Sequence, residues 1–279
     1  MPTPSPILLT GASGNLGRIL ASALAAEGWT LRLTDIAPFP GPLPGTAQFT
    51  QADLVDAPAI AALAQGCGTI LHFGGVSIDR PFHEVLGPNI TGLHSIYEAA
   101  RQARARVVFA SSNHAIGFHE RTTVLDQDCA FRPDSFYGLS KAYGELMGRL
   151  YWDKHGIENV NIRIGSSFPE PVDARMLATW LSYDDLQRLT KRCVLAESTG
   201  HTVIWGASAN QRMTWWRHDG RARLAWAPED SADPFAPELA QVISNNPIQE
   251  RYQGGAYVTN GYSRTTPSAP DLFTNDPFA

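Results

Sequence analysis

Two short stretches carry side chains that could move a proton: Tyr137-Gly138-Leu139-Ser140-Lys141 and, ahead of it, Ser111-Ser112-Asn113-His114. In a helix, a tyrosine four residues before a lysine puts the phenol and the ammonium on one face, one turn apart. A free phenol ionises near pH ~10, so a tyrosine that accepts a proton at neutral pH needs its phenolate stabilised by about 4 kcal/mol. A fixed cation nearby is the usual device. The spacing alone describes a solvated helix face equally well, and its meaning depends on the elements that precede it.

Ile7-Leu8-Leu9-Thr10 reads as a buried strand, followed at once by Gly11-Ala12-Ser13-Gly14-Asn15-Leu16-Gly17 and by helical spacing at Leu16, Ile19, Leu20 and Leu24. Strand, glycine turn and helix make a pyrophosphate cradle. Gly11 permits the turn, Gly14 lets the anion approach the backbone, and Gly17 lets the helix pack on the strand, with the helix N-terminus facing the phosphates. Gly11, Gly14, Asn15, Leu16 and Gly17 are therefore the expected cofactor-binding turn. The second strand, from Thr30, ends in Asp35 about 20 residues further on, where a carboxylate accepts hydrogen bonds from an adenosine ribose. Asp35 would repel a 2′-phosphate, which favours NAD over NADP, although Arg18 and Arg32 stand near in sequence. A plainer reading makes Asp35 the start of the turn into Pro38–Pro44.

A third strand leads to Asp53-Leu54, a short helix runs from about Pro58 to Gln65, and a fourth strand ends in Gly74-Gly75, whose backbone a cofactor could lie against. Pro88 fits the first position of a helix with apolar spacing through Ile90, Leu93, Ile96 and Tyr97. Arg106–Ser111 is a fifth strand, with Ser112, Asn113 and His114 at its carboxyl end, the edge where parallel α/β sheets hold ligands. Pro133-Asp134-Ser135 signals a helix start, and Leu139, Ala142, Leu146, Met147 and Leu150 supply an apolar stripe up to Gly156. Tyr137 and Lys141 thus belong to the first turns of that helix. After a sixth strand, Asn159–Ile164, the alternation fails. The expected fold class is a Rossmann-type, doubly wound parallel α/β sheet. It occupies residues 1–168, with a strand near 201–207 rejoining it. A small substrate-side lobe follows over 169–262, containing a helix around Met176 to Ala196 and core aromatics Trp215, Trp216 and Trp226. An extended tail covers 263–279.

At 279 residues, 43% hydrophobic and 18% charged, the chain can bury a sizeable core, and its net charge of -5 argues against nucleic acid or an anionic membrane as partner. No stretch approaches the ~20 apolar residues of a membrane span. The N-terminus lacks a secretory signal pattern. Cys67, Cys129 and Cys193 are odd in number, widely spaced and without a metal-site pattern, so free thiols in a cytoplasmic protein without a metal are expected. Assembly into a homo-oligomer stays open.

The order of parts, Thr-Gly-x-x-Gly-x-x-Gly after the first strand, an acid ending the second, Asp-Leu after the third, a serine after the fifth, then Tyr-x-x-x-Lys, resembles the extended short-chain dehydrogenase/reductase superfamily across essentially the whole chain. Arg223-Leu-Ala-Trp-Ala-Pro228 is similar to its Leu-Gly-Trp-x-Pro element, with alanine replacing glycine. Its serine-to-tyrosine spacing favours Ser112 over Ser111. Narrower segments are similar to uronate dehydrogenases, which oxidise hexuronic acids with NAD to aldarolactones. These are Phe109-Ala-Ser-Ser-Asn-His114, Arg163-Ile-Gly-Ser166, Pro169-Glu-Pro171, Arg175-Met-Leu-Ala-Thr-Trp180 and Val203-Ile-Trp-Gly-Ala-Ser-Ala-Asn210. Ala115-Ile116-Gly117 also stands where many nucleotide-sugar enzymes carry Val-Tyr-Gly.

The resemblance implies Tyr137, Lys141 and Ser112 as catalytic groups, and Asp53, Leu54 and Gly74, together with Tyr137 and Lys141, as further NAD contacts. It implies Ser77, Ser112, Asn113, His114, Ser166 and Arg175 around a sugar-acid substrate, with the Arg175 fork on the carboxylate. Tyr137 would take the anomeric hydroxyl proton, its pKa held down by Lys141 and the cationic nicotinamide. From the residues alone, Arg175 also reads as a surface ion-pair residue, His114 as a structural histidine, and Ser77 and Ser166 as turn caps. Two other functions stay open. One is a nucleotide-sugar epimerase or dehydratase that keeps its NAD, although the chain lacks a long lobe for a nucleotide handle. The other is an NAD-sensing regulator, against which stand the intact Ser112, Tyr137 and Lys141.

Overall fold

A computed structural model describes residues 5–264, so Met1–Pro4 and all but the first two residues of the expected tail lie outside the described residues. Within that range seven strands form one parallel sheet: β1 (Ile7–Thr10), β2 (Leu31–Asp35), β3 (Gln48–Gln51), β4 (Thr69–His72), β5 (Arg106–Ser112), β6 (Asn159–Ile164) and β7 (His201–Gly206), in the order β3-β2-β1-β4-β5-β6-β7. This is the doubly wound α/β fold that the alternation of strand and helix predicts. The chain moves outward from β1 to β3, then crosses back to begin the other half at β4. The carboxyl ends of β1 and β4 therefore flank a switch point, the place where such sheets bind ligands. β1, β4 and β6 are buried along their whole length, as strands covered on both faces must be.

The helices are α1 (Asn15–Ala26), α2 (Ala57–Ala64), α3 (Phe82–Val85), α4 (Gly92–Ala103), α5 (Phe136–His155), α6 (Met176–Thr179), α7 (Tyr183–Leu195), α8 (Ala236–Leu239) and α9 (Pro247–Arg251). On one face of the sheet, Leu20 and Leu24 of α1 share a core with Leu186 and Leu189 of α7 and with Trp226. On the other, Ile60 of α2, Leu93, Ile96 and Tyr97 of α4 and Tyr151 of α5 pack on Leu8, Ile70 and Val107. A satellite cluster of Ile116, Leu125, Trp205, Trp215 and Trp216 lies beyond β7. Among the described residues no helix is long and apolar enough to cross a membrane.

Three local expectations are corrected. Pro88 does not begin a helix. The chain is already helical from Phe82, and Pro88 lies in a π turn, Leu86–Thr91, after which the Gly92 N–H reaches back to the Gly87 carbonyl. Proline has no N–H to donate, and the widened turn absorbs that loss. The helix expected over 176–196 is two helices, because Ser182 caps α7 by accepting from the Asp185 N–H. In α5 the leucine stripe faces outward: Leu139, Leu146 and Leu150 are exposed, while Tyr137, Ser140, Lys141, Gly144, Glu145 and Gly148 face the sheet. Close approach is the reason. A Cβ on Gly144 would stand 2.3 Å from the Phe109 ring, and one on Gly148 2.7 Å from the Tyr97 hydroxyl.

Candidate active site

Most groups of the site hang from the carboxyl edge of the sheet or from a helix that starts there, and the segment after α9 adds Gln253 and Tyr257. The turn after β1 needs its glycines. Gly11 has φ +73°, and a Cβ on Gly17 would stand 2.0 Å from the Gly11 carbonyl oxygen. Gly14 caps α1 without a side-chain hydrogen bond, so the first-turn amides face outward, as an anion requires. Asp35 receives the Ser13 and Ala37 N–H groups, 3.0 Å each, which fixes its carboxylate beside that turn. Arg32, the cation that could have offset it, points away and donates to the Leu63 and Gln65 carbonyls at the end of α2. Asn15 donates to the Tyr183 hydroxyl at 2.8 Å. Asp53 accepts from the Val55 N–H, and the Leu54 side chain packs beside Gly74. These residues fit the adenosine and pyrophosphate halves of NAD.

Ser112 ends β5, with its hydroxyl accepting from the His114 N–H at 3.2 Å and lying near enough to the Tyr137 phenol to pull its pKa down. Its neighbour Ser111 points to the opposite side of the strand and donates to Glu145 at 2.6 Å. The alternation of the strand thus separates the two serines that were close rivals in sequence. Tyr137, Ser112 and Lys141 are all buried. The Lys141 ammonium sits over the rings of Phe109 (4.8 Å) and Tyr137 (5.4 Å) rather than against the phenol oxygen. Burial pulls Lys141 down to about 8 and pushes Tyr137 well above the ordinary phenol range, with the Ser112 hydrogen bond as the opposing pull. In the protein itself, desolvation therefore outweighs the expected lysine effect on the tyrosine.

A second group of side chains gathers around Arg175, just ahead of α6. Its Nε donates to the Gln253 carbonyl (2.7 Å), one terminal nitrogen to Ser166 Oγ (3.3 Å), and the other to the Asn113 side-chain oxygen (2.6 Å). Burial, with Arg121 near, lowers Arg175 to about 10. Asn113 also donates to the Ile164 carbonyl, and Ser166 pairs with Thr179, so both side chains hold the arginine in place. His114 bonds Asp134 at 2.7 Å and stacks on Tyr257 with centroids 3.8 Å apart. Ser77 lies exposed on the loop after β4. Two residues on, the Asp79 backbone lies near enough to the Tyr257 hydroxyl to pull its pKa down.

Asp134 and Arg163 stand in segments the sequence marks, but without a site role, and Glu145, Gln253 and Tyr257 are not singled out there. Of these three Glu145 alone had a local signal, one helical turn after Lys141. It forms a buried pair with Arg163 at 2.8 Å, directly behind Ser111. A separate cavity of about 740 Å³ opens at the amino ends of the strands, where Arg106 is already held by Glu158 and by the Cys193 and Ala196 carbonyls at the end of α7. Among the described residues no cluster of His, Cys, Asp or Glu is arranged to hold a metal ion.

A family model described as the NAD dependent epimerase/dehydratase family matches residues 7–215. The chain belongs to that family. It is 48% identical to a uronate dehydrogenase of Pseudomonas syringae pv. tomato, over 91% of this chain and 94% of that one. A solved glucuronic acid dehydrogenase from Chromohalobacter salexigens superposes with a TM-score of 0.88 at 44% identity, covering 93% of this chain and 98% of that one. A uronate dehydrogenase from Agrobacterium tumefaciens, solved with NAD as a tyrosine-to-alanine variant, gives 0.86 at 42% identity over 91% and 97%.

Proposed function

We propose that the protein oxidises a hexuronic acid, D-galacturonate or D-glucuronate, at C1 to the aldarolactone, using NAD. The observation that carries this reading is the state of Arg175. A guanidinium has five N–H groups, and protein acceptors take three of them. Among the described residues one N–H on each terminal nitrogen is left without an acceptor, and such a pair can take a carboxylate. The guanidinium is bonded to Asn113, the residue directly after Ser112, which acts on the Tyr137 phenol.

When bound, NAD supplies the hydride acceptor for C1. Tyr137 takes the proton of the anomeric hydroxyl, and Ser112, whose hydroxyl acts on that phenol, holds the reacting oxygen. Lys141, beneath the Tyr137 ring, supplies the positive charge that favours the phenolate as the proton moves. Arg175, fixed by Asn113, Ser166 and Gln253, sets which carbon of the ring faces the cofactor. The test is NADH formation, followed by ultraviolet absorbance, with galacturonate, glucuronate and neutral hexoses. Stoichiometric NADH from free uronates, lost in Tyr137→Phe, is expected. NAD that stays bound with no net reduction would instead favour the nucleotide-sugar reading.

The setting follows the same reading. Three cysteines without disulfides suit the cytoplasm. Phe136, Leu139, Leu146 and Leu150, with Phe82 of α3 against Phe136, leave an apolar stripe along α5 that suits a second copy of the chain. Light scattering of Leu146→Glu should then show a lower mass than wild type.

A further inference from the structure

Asp134 has no part in the reaction as read above, yet it is buried and bonded beside His114. Its side chain is fully enclosed. Oδ2 meets His114 Nδ1 at 2.7 Å, and Ser135 Oγ donates to Oδ1 at 2.9 Å. Three separate segments shape the seat. A Cβ on Gly117 or Gly254 would stand 1.8 or 2.0 Å from Oδ2, and one on Gly138 3.1 Å from Oδ1. The Gly254 N–H donates to the Gly117 carbonyl at 2.8 Å, so the segment after α9 closes the seat over the loop after β5.

Capping α5 does not require this carboxylate, because Ser135 already accepts from the Gly138 N–H at 2.9 Å. Enclosing a carboxylate is costly unless its oxygens are bonded, and here the strongest partner is the imidazole. A carboxylate oxygen accepts, so the hydrogen between the two groups sits on Nδ1. Tyr257 fixes the ring by its face (3.8 Å, 22°), and Tyr137 lies at its edge (5.8 Å, 63°). Among the described residues no protein group bonds His114 Nε2.

We propose that Asp134 is the positioning residue of the substrate site. It holds the hydrogen on His114 Nδ1 and the ring in one orientation, so that Nε2 is the nitrogen that meets a sugar hydroxyl. What Nε2 touches rests on the hexuronate reading, whereas the state of the Asp134–His114 pair does not.

Two measurements on the full chain test this. Histidine nitrogen NMR of the wild-type protein should show His114 Nδ1 protonated, and a bare Nδ1 would overturn the proposal whatever the substrate. In kinetics on galacturonate, Asp134→Asn should lower kcat/KM about 10- to 100-fold. Added to His114→Gln, it should change kcat/KM less than about twofold, because both substitutions remove one function. Losses that multiply in the double variant would show that Asp134 acts on its own. If Asp134→Asn does not fold, the wild-type spectrum decides. If the wild type fails to turn over uronates, the proposed function falls while the spectrum still tests the pair.

Discussion

Replacing Lys141 with methionine should stabilise the protein while stopping turnover. Burial takes the Lys141 ammonium from its ordinary 10.5 down to about 8. That drop corresponds to about 3 kcal/mol by which folding disfavours the protonated side chain. The sign follows from which state keeps the proton. The unfolded chain holds it up to 10.5 and the folded chain only to about 8, so the cost is complete below pH 8, shrinks as pH rises between the two values, and is gone above both. Methionine fills a similar volume with no charge to desolvate. Losing the contacts of the ammonium with the Phe109 and Tyr137 rings takes back about 1 kcal/mol. The net gain at pH 7 is about 2 kcal/mol, roughly 3–4 °C in Tm for a chain of this size. Urea unfolding of both proteins at pH 7 and at about pH 9.5 measures it, since the other titrating groups are shared and largely cancel. The gain should shrink by about 2 kcal/mol at the higher pH. A methionine variant that is less stable at pH 7, or a gain independent of pH, would refute the claim that burial of this ammonium costs the fold stability.

Other outcomes follow from the same contacts. Arg175→Lys should lower kcat/KM for uronates about 100-fold, because a lysine cannot hold Asn113, Ser166 and Gln253 and also present a fork. Neutral hexoses should lose less than about threefold, and equal losses would sink the carboxylate assignment. Glu145→Gln should cost about 3–5 kcal/mol in urea unfolding, since it leaves Arg163 buried without its anion. A loss under about 1 kcal/mol would show that the network relaxes. Asp35→Ala should weaken NAD about tenfold and narrow its preference over NADP, read by cofactor titration. An unchanged ratio would mean that Asp35 only shapes the turn it receives from Ser13 and Ala37.

The local parts of this protein were legible because each is set by near neighbours. Strand, glycine turn and helix follow from apolar runs and from glycines that no other residue can replace, and the acid ending β2 lies at a fixed distance from them. The pairing of Tyr137 with Lys141 follows from helical period. The same reasoning misjudged α5, because hydrophobicity alone marks the leucines as inward. The glycines at 144 and 148 in fact bring the polar face of the helix against Phe109 and Asn159.

The sequence by itself determined the sheet, the cofactor turn and the residue types of the proton relay, since these depend on periodicity and short spacings. Only the tertiary structure decided that the lysine lies over the phenol ring and that, among the described residues, acceptors reach three of the five Arg175 N–H groups. It alone brought Gln253, Gly254 and Tyr257, more than a hundred residues after His114, onto the substrate side. Those facts depend on the direction of side chains across strands and on contacts between distant segments. No local pattern encodes them, because a carbonyl such as that of Gln253 serves Arg175 by its position and not by its residue type.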